Sequence, residues 1–192
     1  MFASESSDEA DSFLSVASYA AFLRGINVSG RRATKAQLTP AFEACGFESV
    51  STFRASGNVL FEQPGRTKPK ASDIEAALER EIGFSSQVFL RSAGRLAEVS
   101  ELDPFTSKQV KASKGKLQVI FLEKKPSKSA TDRALKFELD SDPIAIDGSE
   151  LLWLPAEGTQ TTELDLKGLW SVLGPWTMRT MGTVEQIAAK LC

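Results

Sequence analysis

The chain has no histidine among its 192 residues. That absence excludes Ser-His-Asp and Cys-His hydrolases, imidazole acid–base catalysis and histidine-ligated zinc. Any catalysis would fall to carboxylates, lysine, arginine, hydroxyls, the single tyrosine Tyr19 or a bound cofactor. Cysteine is nearly as scarce. Cys45 and Cys192 are too few for a disulfide framework. Cys45 falls on a predicted apolar helix face and Cys192 is the last residue, so neither reads as a redox centre. No metal site and no cofactor is expected. No apolar run approaches the roughly 20 residues that a membrane span needs. Neither sign of charge is in large excess. The formal net charge is -2, so bulk electrostatics do not favour a polyanion.

The start carries Glu5, Asp8, Glu9 and Asp11 and no basic residue through Ser18, unlike a secretory signal. Residues 1–17 are read as a flexible acidic tail, and a cytoplasmic location is expected. The length allows one large domain or two small ones, and the hydrophobic fraction of 42% is ordinary for a globular chain.

What is present is an ordered series of strand and helix signals. Tyr19 to Leu23 is an unbroken apolar run, as a central strand requires. A polar loop, Arg24 to Arg32, leads to a helix with Leu38, Ala41, Phe42 and Cys45 on one face. Pro40 leaves two starts open: Thr34 with a disturbance at Pro40, or Thr39 as cap with Pro40 in first position. Ser49 to Arg54 and Asn58 to Glu62 read as a hairpin around Ala55-Ser56-Gly57. A helix with Ile74, Ala77, Leu78 and Ile82 follows. Then come a strand from Gln87 to Arg91 and a short helix capped by Ser92.

The order then repeats. Leu117 to Leu122 is a strand, and Ser127 or Ser129 opens a helix. Pro143 to Ile146 and Leu151 to Leu154 form a hairpin. Leu166, Leu169, Trp170 and Leu173 line a helix, Trp176 to Thr180 is a strand, and Val184, Ile187, Ala188 and Leu191 line a last helix. The pattern predicts an α+β chain of two ferredoxin-like (α/β-plait, βαββαβ) units, each followed by an extra helix. The expected bounds are 18–103 and 117–192, joined by a lysine-bearing linker over 104–116. The face of each sheet away from its two helices must be hidden by the other sheet or by the extra helices.

In this topology the end of the first strand lies beside the start of the third. Arg24 and Asn27 are therefore expected beside Ser56 and Asn58, at the rim where the first helix opens. Arg31, Arg32 and Lys35 approach the same rim. Helix amides with cations nearby suit a phosphate, carboxylate or nucleotide. The bland reading is a set of turn residues, with Gly25 and Gly57 supplying positive φ and Asn27 and Asn58 bonding local backbone.

An RNA-recognition motif shares the fold, but its third strand presents aromatics for base stacking. Here those positions are Ser56 and Asn58, and stacking worth roughly 1–3 kcal/mol per base is lost. No sequence-specific nucleic-acid partner is expected. The basic stretch from Lys108 to Lys136 reads as a solvated linker and helix face.

Several stretches resemble a bacterial family, domain of unknown function 1697. They are Leu23-Arg24-Gly25-Ile26-Asn27-Val28-Ser29-Gly30, the pair Gly46-Phe47, Ser56 to Phe61, Leu90-Arg91-Ser92 and Leu152-Trp153-Leu154-Pro155. The resemblance covers nearly the whole chain after the acidic tail. It implies two α/β-plait halves and no established activity, cofactor or substrate. Two stretches depart from the pattern. An R-S-K-like run is replaced by Gln160-Thr161-Thr162, and an R-N-W-x-T-V run by Arg179-Thr180-Met181-Gly182-Thr183-Val184. If the family's site uses that run, this chain is an altered relative.

Three functions follow as expectations. The first is binding of a small anionic ligand at Arg24, Asn27, Arg31, Arg32, Lys35, Ser56 and Asn58. The second is a transferase-like enzyme acting on a phosphorylated small molecule, for which neither motif supplies a carboxylate, lysine or tyrosine. The third is an interaction or assembly module, compatible with a homo-oligomer. No membrane partner is expected.

Overall fold

A computed structural model describes residues 16–27, 30–54 and 57–192. The expected acidic tail, apart from Val16 and Ala17, lies outside the described residues. Those two residues begin the first strand instead. The chain divides into two compact units, one running to Ala93 with Leu191 and Cys192, the other from Gly94 to Lys190.

The first unit is built on a four-stranded antiparallel sheet. Its strands are β1 (Val16–Arg24), β2 (Glu48–Thr52), β3 (Asn58–Pro64) and β4 (Gln87–Ser92), in the order β2-β3-β1-β4. The apolar run makes β1 central, and Ala20 to Leu23 are all buried. Helices α1 (Lys35–Glu43) and α2 (Ala71–Ile82) lie over one face. They pack Leu38, Ala41, Phe42, Ile74, Ala77 and Leu78 against Ala21, Leu23, Val59, Phe61 and Val88. Phe61 is the hub, with ring centroids 4.3 Å from Phe47, 5.3 Å from Phe42 and 5.8 Å from Tyr19. Each such ring contributes roughly 1.5–3 kcal/mol by burial, and each pair about 0.5–1.5 kcal/mol more.

Of the two starts open for α1, the structure takes Thr34. Leu38 N donates to Thr34 O at 2.9 Å, and Pro40 sits inside the helix. Pro40 removes one intrahelical amide bond, a cost offset by the burial of Leu38, Ala41 and Phe42 of the same helix. Gly83, at φ 78°, ends α2 with its N–H on Glu79 O.

The second unit repeats the order. Its strands β5 (Gln118–Leu122), β6 (Ile144–Asp147), β7 (Glu150–Trp153) and β8 (Trp176–Thr180) run antiparallel as β6-β7-β5-β8. Helices α5 (Lys128–Ala134) and α6 (Leu166–Leu173) contribute Ala134, Leu169 and Leu173 to a core with Ile120, Leu122, Leu151 and Trp153. Ser127, not Ser129, caps α5, accepting from Ala130 N at 3.2 Å. Asp165 caps α6 through Gly168 N at 2.9 Å. The last helix, α7 (Met181–Leu191), follows β8 directly. The fold is thus α+β with two ferredoxin-like units, each followed in the chain by a further helix.

The division differs from the expected bounds. The helix after β4, α3 (Ala93–Ser100), groups with the second unit. Its Arg95 binds Asp147 and Glu150 of the β6–β7 hairpin, which explains that grouping. The expected linker over 104–116 is not structureless either. It holds a helix, α4 (Ser107–Ala112), capped by Thr106 and Gln109 reciprocally. Ser113 Oγ then donates to Pro155 O at 2.7 Å, and Lys114 N to Ala156 O at 2.7 Å. Gly115 packs so closely that an added Cβ would meet Pro155 O at 2.4 Å. These bonds fasten the segment to the second unit. Among the described residues, no helix is long and apolar enough to cross a membrane.

Candidate functional site

The end of β1 and the start of β3 share one rim of the first sheet. Phe22 pairs with Asn58, and Leu23 N donates to Gly57 O at 2.7 Å. Gly57 has φ 72°, and a Cβ there would come within 2.9 Å of the Ile26 side chain. Only glycine fits that crossing without strain. Asn58 is fully buried; its Nδ2 donates to Phe53 O at 3.1 Å while its O accepts from Phe53 N. On the facing loop Asn27 takes φ 57°, and its Oδ1 accepts from Ala33 N at 3.3 Å. The two asparagines therefore shape the two loops.

Between these loops lies a cavity of about 580 Å³. Arg32 and Lys35 enter from the approach to α1, and Arg54 from the β2–β3 loop, with Asn27, Gly57 and Asn58 between them. Ala33, Thr34, Leu38 and Thr52 also line it, and among the described residues the lining includes no carboxylate. Arg54 has φ 56° and lays its guanidinium over Phe53, 5.4 Å from the ring centroid. Arg54, expected only as the end of the first hairpin strand, is not among the residues expected to bind the ligand. Its position three residues before Gly57, in the same hairpin, was the available signal. Ser56 lies outside the described residues.

Arg24 and Arg31 line a neighbouring cavity of about 430 Å³. Arg24 Nη1 donates to Gln87 Oε1 at 3.3 Å, and its carbonyl accepts from Ser86 Oγ at 2.9 Å. The Arg31 guanidinium sits over Phe84 at 5.8 Å. The remaining lining includes Glu75 and Glu79 of α2. The expected ligand set is therefore split. Asn27, Arg32, Lys35 and Asn58 share the first cavity, while Arg24 and Arg31 share the second.

A third cavity, about 480 Å³, holds Cys45 with Lys68, Lys70, Asp73 and Arg80. Burial, reinforced by the Asp73 carboxylate, raises the thiol's pKa. Its Sγ donates to Ala41 O at 3.4 Å. Both effects hold it as a thiol and a weak nucleophile.

The second unit carries polar clusters that periodicity does not reveal. Arg95 Nε donates to Glu150 Oε2 at 2.9 Å, and Nη1 to Glu98 Oε2 at 3.0 Å; Nη2 reaches Asp147. Burial alone would lower the Arg95 pKa, but the hydrogen bonds to Asp147, Glu150 and Glu98 outweigh it and raise the value. Asp142 accepts from Trp153 Nε1 at 3.1 Å and Thr162 Oγ1 at 2.7 Å. Arg179 Nη1 bonds Thr177 Oγ1 and Met178 O, and burial lowers its pKa to about 10. Among the described residues no acidic or thiol group is arranged to hold a metal ion.

A family model described as a protein of unknown function (DUF1697) matches residues 16–152. The match ends before Gln160 and Arg179. The chain is similar to the solved structure of a conserved bacterial protein from Streptococcus pneumoniae. The TM-score is 0.68 at 19% identity, over 93% of this chain and 100% of that one. At that identity the likeness concerns the fold. No curated protein matches the chain.

Proposed function

The chain belongs to the DUF1697 family, whose description carries no activity, and on that premise we propose that it binds a small phosphate- or nucleotide-like anion. The binding cavity is the one between Arg32, Lys35 and Arg54. The observation that carries this reading is the sign of its lining: three cations and, among the described residues, no carboxylate. Guanidinium groups bind phosphate oxygens through paired N–H donors, and Lys35 adds a point charge at the first turn of α1. The helix start adds its own positive end. Asn27 and Asn58 hold the loops rather than supply charge, and Ser56 belongs to the same proposed set. The volume lies within the roughly 300–1,000 Å³ usual for small-molecule sites.

A transferase reading ranks lower, because among the described residues the lining offers no carboxylate, tyrosine or thiol as acid or base. The test is thermal unfolding with inorganic phosphate, a nucleoside monophosphate and chloride at matched ionic strength. Free ligand at a hundred times its Kd should stabilise by roughly 2.7 kcal/mol. The Arg32→Ala and Arg54→Ala variants should lose that gain. Equal stabilisation by chloride, or an undiminished response in both variants, would remove the proposal.

A further inference from the structure

The cationic cavity has a rim and a floor of different chemistry. Arg32, Lys35 and Arg54 are exposed and stand at its rim. Leu38 and Ala33 line it too, yet they are only 4% and 7% exposed, so they form its floor. Thr52, half-buried, lines the same cavity. It pairs with Val59, and residues directly opposite on antiparallel strands point to one face of the sheet. Val59 belongs to the same core as Leu38 and Phe42 of α1, so Thr52 also faces α1. Other neutral polar side chains of the lining are engaged by the fold. Thr34 Oγ1 donates to Gln37 Oε1 at 3.0 Å, Asn27 Oδ1 accepts from Ala33 N, and Asn58 Nδ2 donates to Phe53 O. The Thr52 hydroxyl makes no hydrogen bond with any described residue.

A bare oxyanion uses the rim alone. It fills a small part of the cavity of about 580 Å³ and leaves the apolar floor and the Thr52 hydroxyl to water. A ligand with an organic group beyond its anionic end covers both. Resting on the anion-binding reading above, we infer that the ligand is a phosphomonoester of a hydroxylated organic molecule, a sugar phosphate or a nucleoside monophosphate, and not free phosphate. Its phosphoryl dianion lies among Arg32, Lys35 and Arg54. Its organic group covers Leu38 and Ala33, and one of its hydroxyls bonds Thr52 Oγ1. The covered apolar area adds affinity that inorganic phosphate cannot gain. Thr52 is then the residue that tells an ester from phosphate, because a hydroxyl placed to pair with the ligand discriminates against one that leaves it unpaired.

The experiment is calorimetric titration of the intact chain at about pH 8, where phosphate and its monoesters are largely dianions. The probes are inorganic phosphate, a ribose phosphate, adenosine monophosphate, ribose and adenosine. At least one of the two esters should bind about tenfold or more tightly than inorganic phosphate, and comparing them shows whether the base adds to the sugar. Ribose and adenosine should bind more weakly than their phosphates. Thr52→Val should cut the ratio of ester to phosphate affinity by roughly threefold or more, and Thr52→Ser should preserve it. If inorganic phosphate binds and neither ester exceeds it, or if Thr52→Val leaves the ratio unchanged, the inference is overturned while the anion cavity stands. If no phosphate compound binds, the anion-binding reading itself falls and this inference with it.

Discussion

Arg31 and Arg32 are neighbours in sequence, yet Arg31 lines the mixed-charge cavity and Arg32 the cationic one. The loop between β1 and α1 is the wall common to both cavities. Its backbone is set by positive φ at Gly25 and Asn27 and by the Ala33 N–H on Asn27 Oδ1.

The two arginines should separate in their effects. Arg32→Ala is expected to abolish stabilisation by phosphate, whereas Arg31→Ala, in the other cavity, should leave it intact. Thermal unfolding of both variants with phosphate checks this, and matching losses in the two would contradict a divided wall.

Gly57→Ala should destabilise the first unit by about 1–3 kcal/mol. The alanine would hold an unfavourable φ of 72° and press its methyl on Ile26. Urea unfolding measures the loss, and a variant as stable as the parent would show that the β2–β3 loop relaxes freely.

Arg95→Ala leaves Glu150, with a fully buried side chain, without its guanidinium. Removing one partner of such a pair costs about 3–5 kcal/mol, whereas exchanging both for apolar side chains is often neutral. The Arg95→Met, Glu150→Met double variant should therefore recover most of the stability lost by Arg95→Ala. Chemical denaturation of both variants gives the comparison.

Cys45 should react with a disulfide reagent more slowly than exposed Cys192, giving two phases at pH 8. Its raised pKa means that the fold binds the thiol proton more tightly than the unfolded chain does. Stability from this group is full below the ordinary thiol pKa of 9.0 and declines as pH rises past it. Cys45→Ala should flatten that decline. A Cys45 phase as fast as that of Cys192 would contradict a partly buried, proton-holding thiol.

Local signals made much of the fold legible. The unbroken run from Tyr19 to Leu23 leaves little but a central strand, and Gly83 and Gly174 each end a helix where they stand. The shared rim of Arg24 and Asn58 follows from strand order alone. The allegiance of α3 does not, because the partners of Arg95 lie 52 and 55 residues away. Nothing in the lysine-bearing stretch announces that Ser113 and Lys114 bond to Pro155 and Ala156. Nor does strand order decide which cavity an adjacent arginine enters. Nor does it announce that Asn27 and Arg54 take φ in the left-handed region that few non-glycine residues occupy.

The pinning of Ser113, Lys114 and Gly115 against the 155–157 turn bears on proteolysis. Lysines 108, 111, 114 and 116 look like an open invitation to trypsin, yet a protease needs several residues of extended, unbonded chain in its cleft. The capped turn of α4 and the bonded residues behind it deny that conformation. Limited digestion of the native protein should pass over this stretch, which makes it a poor place to insert a tag or to open new termini.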